Sequence, residues 1–163
     1  MAEKARGTQK PAALADDLEH ARSAFFEALA KLVELNPRAR IGEWTSQELV
    51  AHLGYWVGHA AEALHFAELG KTDEFGEDEL DVDERNGVVA RVARETDMET
   101  VRRREELAFT ALRDRLRKAD PAWLDERVTY GDSLERVVRD DGADHYREHT
   151  QDLLPFLGES GSS

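Results

Sequence analysis

The stretch TSQELVAHLGYWVGHAAEALHFAELG, residues 45–70, predicts a long helix with one buried side. It opens on the capping-box pattern Thr45-Ser46-Gln47-Glu48, in which the threonine hydroxyl and the glutamate carboxylate satisfy free amide groups at a helix start. Gly70 is well placed to end the helix, because glycine readily adopts the left-handed conformation found after a last turn. The side predicted to face inward carries Leu49, His52, Leu53, Trp56, His59, Ala60 and Ala63.

A second helix is predicted upstream, over residues 12–35, where apolar residues recur at the helical period. Asn36-Pro37 ends this segment, because the residue before a proline disfavours the helical conformation. Pro11 suits the first position of the helix, and the polar residues 1–11 are expected to form a disordered tail. The predicted inward stripe consists of Leu14, Leu18, Ala21, Phe25, Leu29 and Leu32.

Downstream of the central stretch, the Gly-rich and acidic residues 70–81 form a connection long enough to cross from one end of a bundle to the other. The helical pattern resumes at Val82. Thr96-Asp97-Met98-Glu99 resembles a second capping box and predicts a break near Thr96. The helix beyond the break is expected to expose a charged face over residues 102–106. Its inward residues are predicted to be Met98, Val101, Ala108, Leu112 and Leu116.

The last helix is predicted over residues 133–157, with Asp132 or Ser133 as its cap. Together with the preceding segments it gives an all-α fold, a four-helix bundle with a long crossing connection between helices 2 and 3. One domain is expected over residues 12–157, because a chain of 163 residues suffices for one substantial core. Residues 158–163 are expected to form a disordered tail. The apolar row of the last helix consists of Leu134, Val138, Leu153 and Phe156.

Charge and residue usage exclude several classes of function. The formal net charge is -13 at pH 7, which repels phosphate backbones, so we expect no nucleic-acid partner. The chain has no cysteine, which excludes disulfides and thiolate ligands and leaves nitrogen and oxygen ligands for any metal. No run of about 18 apolar residues occurs, and the first residues lack the apolar core of a signal peptide. We therefore expect a cytoplasmic protein with no membrane partner.

The sequence Asp144-His145-Tyr146-Arg147-Glu148-His149 places two histidines one turn apart on the last predicted helix. Residues four apart stand over one another with about 5–6 Å between their Cβ atoms, so both imidazoles can bind one metal ion. Both histidines fall on the apolar row and are expected to point inward. Tyr146 stands where the zinc-protease motif HExxH requires glutamate, so that motif does not apply. The alternative interpretations are a pair of core histidines satisfied by hydrogen bonds and a solvated notch in the buried side of the helix.

His52 supplies a third inward-facing histidine from a different helix. With the pair it gives the three ligands of an open metal site, although taken alone it is more simply a core residue. His59 lies two turns further along, about 10 Å of helix rise, which is too far to share that ion. Glu62-x-x-His65 and Asp17-x-x-His20 have the spacing of di-iron bundles, but the helical projection turns both histidines toward solvent.

Three short segments, taken in order, resemble the DinB-like metalloprotein superfamily over residues 12–157. They are Glu43-Trp44-Thr45-Ser46 leading to Leu49-Val50-Ala51-His52-Leu53, then Asp83-Glu84-Arg85-Asn86, and finally His145-Tyr146-Arg147-Glu148-His149. The short acidic crossing and the HYREH sequence look most like the ClbS/DfsB branch. The resemblance implies a four-helix bundle that binds a divalent metal through one histidine of helix 2 and a pair on helix 4. The matching residues are His52, His145 and His149.

The resemblance also implies a range of activities. The superfamily includes thiol-dependent isomerases, S-transferases that use low-molecular-weight thiols, and ClbS-like proteins that inactivate a reactive genotoxin. Three neutral imidazoles leave a divalent cation its full charge, with which it lowers the pKa of a bound water or thiol. We therefore expect a metal-dependent transferase, isomerase or hydrolase whose substrate is a small electrophile. A non-catalytic binding or sequestering protein, and an interaction module with a vestigial site, are the alternatives.

Several further residues receive roles as hypotheses. Glu148 is a candidate general base or a group that orients an imidazole, with a plain exposed carboxylate as the alternative. Tyr55, Trp56 and His59 are candidates to line a substrate pocket, although core positions explain Trp56 and His59 more simply. Zinc or nickel is the metal expected, and manganese and iron are the alternatives, because three nitrogen ligands alone do not separate these four metals. A homodimer face is suggested by apolar outer positions at Val50, Val57 and Leu64.

Overall fold

The computed structural model describes residues 2–76 and 81–158, and its described part is mainly α-helical. A two-stranded hairpin pairs β1 (Arg40–Ile41) with β2 (Trp44–Thr45), and short 3-10 helices cover Thr72–Glu74, Pro121–Asp125 and Leu154–Leu157. The all-α class predicted from the sequence is therefore confirmed. The α-helices are α1 (Ala2–Leu35), α2 (Ser46–Glu68), α3 (Val82–Arg94), α4 (Met98–Lys118), α5 (Leu134–Asp141) and α6 (Ala143–Leu153).

Helix α2 lies at the centre of the fold. It contacts α3, α4 and α5, whereas α1 packs against α4 and α6. Every residue of the inward stripe predicted for α2 is buried. Val50, Val57 and Leu64, which were expected to offer an outer dimer face, are also fully buried. That expectation is wrong, because neighbouring helices cover α2 beyond the predicted stripe.

The C-terminal end of α2 forms as the sequence predicts, whereas only the threonine half of the predicted capping box forms, because the Glu48 carboxylate binds the Thr45 hydroxyl rather than a free amide. The Thr45 hydroxyl oxygen accepts a hydrogen bond from the Glu48 amide at 3.2 Å, and the hydroxyl donates to the Glu48 carboxylate. Gly70 follows the last turn with φ of 72°, and its amide donates to the Ala67 carbonyl at 3.0 Å. These caps fix the extent of the helix and hence the place of His52 in its second turn.

Helix α1 buries the whole of its predicted stripe. It begins at Ala2, ahead of the start predicted at Pro11, which lies inside the helix and removes one backbone donor there. The disordered tails expected over residues 1–11 and 158–163 stay predictions. Met1 and residues 159–163 lie outside the described part of the chain, as do residues 77–80 of the crossing connection.

The break predicted near Thr96 is confirmed, since α3 ends at Arg94 and α4 begins at Met98. The cap is Asp97 rather than Thr96, because the Asp97 carboxylate accepts a hydrogen bond from the Thr100 amide at 2.8 Å. The expectation of a charged, exposed face over residues 102–106 is wrong at Glu105, because this residue is fully buried. Glu105 continues the inward row of α4, four residues after Val101.

The single helix predicted over residues 133–157 is wrong, because the chain breaks at Gly142 into α5 and α6. Gly142 has φ of -103° and ψ of -110°, outside the helical region, and a Cβ built there would lie 2.5 Å from the Val138 carbonyl oxygen. Ser133 caps α5 as expected, and Leu134, Val138 and Leu153 are buried. Phe156, also expected inside, is exposed because the chain turns into a 3-10 helix at Leu154.

None of the described helices combines the length and the apolar composition that crossing a lipid bilayer requires.

Candidate metal centre

Three imidazoles converge between α2 and α6. His52 comes from α2, and His145 and His149 come from α6, one turn apart. The Nε2 atoms of His52 and His145 lie 2.9 Å apart, and the His52 and His149 ring centroids lie 5.1 Å apart. One ring nitrogen from each residue lies within 4.8 Å of the others. The sequence therefore predicted correctly that these three side chains meet.

The orientation of α6 is held by the residue between its two histidines. Tyr146 is fully buried on another side of the helix, and its hydroxyl donates to the Glu105 carboxylate at 3.0 Å. Arg22 of α1 pairs with the same carboxylate, with its Nη2 at 3.0 Å from Oε2. This buried group ties α1, α4 and α6 together, and burial followed by the Glu105 charge raises the pKa of Tyr146 well above its usual value. Tyr146 therefore stays a protonated donor at neutral pH.

Two of the three imidazoles are held in the neutral form. Burial, followed by the charge of His149, lowers the pKa of His52 to about 3. Burial, followed by the charges of His52 and His149, lowers the pKa of His145 to about 3. Both residues therefore carry no charge at neutral pH, and a lone pair is available on each ring without loss of a proton to solvent.

The outer nitrogens of the rings show how a cation would fit. When Nε2 binds a metal, the ring proton sits on Nδ1 and needs an acceptor. His149 Nδ1 lies 3.0 Å from Asp152 Oδ2. The Nδ1 atoms of His52 and His145 are buried and make no hydrogen bond of good geometry. Asn86 raises the pKa of His52, and the backbone of Asp141 raises the pKa of His145. Burial lowers each pKa by more than these groups raise it.

Asn86 also connects the site to helix α3. Its side-chain oxygen accepts a hydrogen bond from Trp56 Nε1 at 2.8 Å, and the Arg85 guanidinium lies 4.7 Å from the centre of the Trp56 ring. A carbonyl oxygen has two lone pairs, so the Asn86 oxygen can accept from Trp56 and from His52 together. Trp56 of α2 and Asn86 of α3 are thus joined by a hydrogen bond, and Asn86 is close enough to His52 to influence its pKa.

The donor set and the spacing fit a divalent cation. Two nitrogens bound to one tetrahedral zinc at about 2.0–2.1 Å lie about 3.3 Å apart. The His52 and His145 nitrogens, at 2.9 Å, need to separate by only a few tenths of an ångström. The three histidines are close enough to hold a metal ion, and their neutral nitrogens suit several divalent metals.

Trp44 of the hairpin covers one side of the cluster. Its ring centroid lies 4.3 Å from that of His52 and 6.1 Å from that of His149. Next to it, a cavity of about 410 Å³ lies between the hairpin and the end of α6, and Trp44, Leu49, His149 and Asp152 are among its lining residues. The candidate metal centre therefore borders a space of ligand size.

The remaining predicted site residues are not gathered around this cavity. Glu148 is exposed on α6, as in the alternative interpretation of its carboxylate. Tyr55 lines a separate apolar cavity between α2, α3 and α4. Trp56 is buried beside Asn86, and buried His59 lies 2.7 Å from Asp141 Oδ2 through its Nδ1. Their assignment to a substrate pocket stays a prediction.

His20 and His65 are exposed, as the helical projection predicted.

No sequence pattern indicates a role in the site for Trp44, Asn86 or Glu105. Trp44 and Asn86 stand in the segments that carry the family resemblance, but no spacing rule indicates that they pack beside His52. A signal for Glu105 was present, because it lies on the helical row that joins Val101 to Leu112. Because Glu105 is charged and stands among charged residues, the pattern predicts an exposed position for it instead.

Comparison of the chain with protein-family models, with curated proteins and with solved structures found no match. Support for any function therefore comes from the sequence pattern and from the geometry of the site.

Proposed function

We propose that the protein is a DinB-like metalloprotein of the four-helix-bundle type, in which His52, His145 and His149 hold one divalent cation. The observation that carries the proposal is the approach of three ring nitrogens, one per histidine, to within 4.8 Å of one another. The resemblance of the HYREH segment and of the segment around His52 to the ClbS/DfsB branch supports it. Zinc or nickel is the metal that we propose.

The activity that we propose is metal-dependent conversion of a small reactive electrophile, by thiol transfer, isomerisation or hydrolysis. A divalent cation bound by three neutral nitrogens supplies a Lewis acid and activates a water or thiol. The protein contributes two imidazoles held neutral by burial, an Asp152 carboxylate that orients His149, and a cavity beside His149. Thiol chemistry requires a low-molecular-weight thiol as cosubstrate, because the chain has no cysteine.

A second candidate function is binding without turnover, as in a self-protection protein that sequesters its ligand. The exposed position of Glu148 favours it, because this leaves the predicted general base on the surface of α6. A catalytic base needs to lie within hydrogen-bond reach of the reacting group.

Metal content tests the shared part of both proposals. Protein purified without a histidine tag is expected to contain close to one divalent ion per chain by inductively coupled plasma mass spectrometry. H52A and H149A are expected to lose it, whereas H20A and H65A, which remove exposed histidines, are expected to retain it. A ratio near zero in the unaltered protein after incubation with zinc or nickel would eliminate the metal site.

Product stoichiometry separates the two proposals. The metal-loaded protein is mixed with small electrophiles in the presence and absence of cellular thiols, and products are identified by mass spectrometry. An enzyme forms more moles of product than of protein and stops when a chelator is added. Ligand retained at one mole per chain without product would instead support sequestration.

A further inference from the structure

The cavity beside His149 is lined by aromatic and apolar residues and by two acidic residues. It lies between the β1–β2 hairpin and the C-terminal end of α6 and has a volume of about 410 Å³, in the range of small-molecule sites. His149 is 9% exposed, so a candidate metal ligand borders this space without being open to bulk solvent. A ligand that reaches the cation from this side must pass along the cavity walls.

One wall is flat and aromatic. The Trp44 indole is packed against the His52 ring, and the Trp44 backbone pairs with that of Ile41 in the hairpin. Ile41 and Leu49 are buried and complete an apolar surface. A planar apolar group can stack on an indole held in this way, which contributes free energy beyond area burial alone.

The charged side chains that line the cavity have one sign. Glu43 and Asp152 are its charged lining residues among those that the structure describes, and both are exposed. Arg40 and Arg94 line a second cavity together with Glu48 and Asp83, and this cavity shares Glu43 and Trp44 with the first. The chain as a whole carries a net charge of -13, so its overall field also opposes the approach of anions.

We propose that the cavity beside His149 admits the substrate, and that the substrate class is a neutral or cationic molecule with a flat apolar body. The body rests on Trp44, and a positively charged or polar end lies near Glu43 and Asp152. This inference rests on the proposed metal site and adds the charge and shape of the ligand.

Three probes with one metal-binding head test the proposal. They are benzohydroxamates that carry a trimethylammonium, a tert-butyl or a sulfonate group at the para position, and their binding to zinc-loaded protein is measured by titration calorimetry. We expect the cationic probe to bind at least about fivefold more tightly than the sulfonate at low salt, with the neutral probe between them. This preference should diminish as the salt concentration rises.

Two variants connect the preference to the cavity. E43Q is expected to reduce the ratio of cationic to anionic affinity by about twofold, whereas E62Q, the same change at an exposed position on α2 outside the lining, should leave it unaltered. W44L is expected to weaken all three probes by about three- to tenfold, and W44F, which keeps an aromatic ring, by less. Zinc content is measured for every variant.

Each possible result has a distinct meaning. Equal affinity for the three probes, or tighter binding of the sulfonate, would overturn the inference, and the second result would indicate entry beside Arg40 and Arg94. An equal effect of E43Q and E62Q would overturn it as well. Failure of the unaltered protein to bind zinc would overturn this inference together with the metal site, whereas zinc binding without a charge preference overturns the inference alone.

Discussion

At the scale of single residues, the three histidines differ in how the outer nitrogen of each ring is supported. His149 has a carboxylate partner in Asp152, at 3.0 Å. The Nδ1 atoms of His52 and His145 are buried and make no hydrogen bond of good geometry. A carboxylate that orients a ring and raises its basicity strengthens the bond of that ring to a metal. The support of His149 is therefore the one most readily altered by substitution.

Removal of this support is expected to weaken metal binding without destroying the fold. We predict that D152A lowers zinc affinity by about 10- to 100-fold, measured by competition with a chromophoric chelator. The matched control is D144A, which removes another exposed carboxylate of α6, one paired with Arg147. Equal zinc affinities of the two variants would show that Asp152 does not support metal binding by His149.

Burial of neutral imidazoles makes stability depend on pH in a defined direction. The pKa of His52 is about 3 in the folded protein and about 6.5 in an unfolded chain. Between these values the unfolded chain binds more protons, so the free energy of unfolding is highest above pH 6.5 and falls as the pH falls toward 3. His145 contributes in the same sense.

We therefore predict that the free energy of unfolding depends less steeply on pH when His52 or His145 is replaced. In urea denaturation with a chelator present, H52Q should lessen the slope between pH 6 and pH 4.5 by about 1 kcal/mol per pH unit. H65Q, at an exposed position, should keep the slope of the unaltered protein. Parallel slopes for H52Q and the unaltered protein would contradict a neutral buried His52.

At the scale of helices, the break at Gly142 decides how α6 meets α2. The backbone of Gly142 lies outside the helical region, and a side chain there would collide with the Val138 carbonyl. Had the helix continued, the direction of the chain carrying His145 and His149 would follow α5. Gly142 therefore lets two short helices replace one, and the second can direct its histidines toward His52.

A methyl group at this position should disturb both stability and metal binding. We predict that G142A lowers the free energy of unfolding by about 1–3 kcal/mol and weakens zinc affinity, because α6 must shift. G87A is the matched control, since its Cβ meets open space on α3, and it should be neutral or more stable by up to about 1 kcal/mol. Denaturant titration and zinc competition measure the two effects, and unchanged zinc affinity in G142A would show that the break does not position α6.

The helices also show which features a sequence can reveal. Periodicity and caps predicted α1 and α2, because the local pattern and the fold agree at Thr45 and Gly70. The break at Gly142 was missed because the apolar row continues in register from Val138 to Leu153. Val50 was misplaced on the surface for a different reason: amphipathicity identifies one buried side, whereas the number of neighbours around α2 depends on the whole arrangement.

At the scale of the whole molecule, the candidate site joins α2, from the centre of the fold, to α6, which packs on α1. The fully buried Glu105 supports the same arrangement, since Arg22 of α1 and Tyr146 of α6 both bind its carboxylate. A buried carboxylate is stable only when its partners are present. A cation bound by His52, His145 and His149 would add a connection between α2 and α6, which the Glu105 group does not join directly.

Metal removal should therefore lower the stability of the entire domain. With free zinc at about 100 times its dissociation constant, the folded state gains about 2.7 kcal/mol, which corresponds to about 5–10 °C in Tm for a domain of this size. A chelator should reverse this gain in the unaltered protein and in H65A, whereas H52A should show the same Tm with and without zinc. Differential scanning calorimetry makes the comparison, and a zinc-dependent Tm in H52A would argue against the three-histidine site.

The 93 positions that separate His52 from His145 along the chain have a consequence for biosynthesis. A ribosome releases the first imidazole long before it makes the other two, so a growing polypeptide holds only an incomplete chelating group. Loading of the proposed ion would therefore have to wait until His145 and His149 have been synthesised and have reached His52, and a chain truncated before His145 would compete poorly for scarce cellular zinc or nickel.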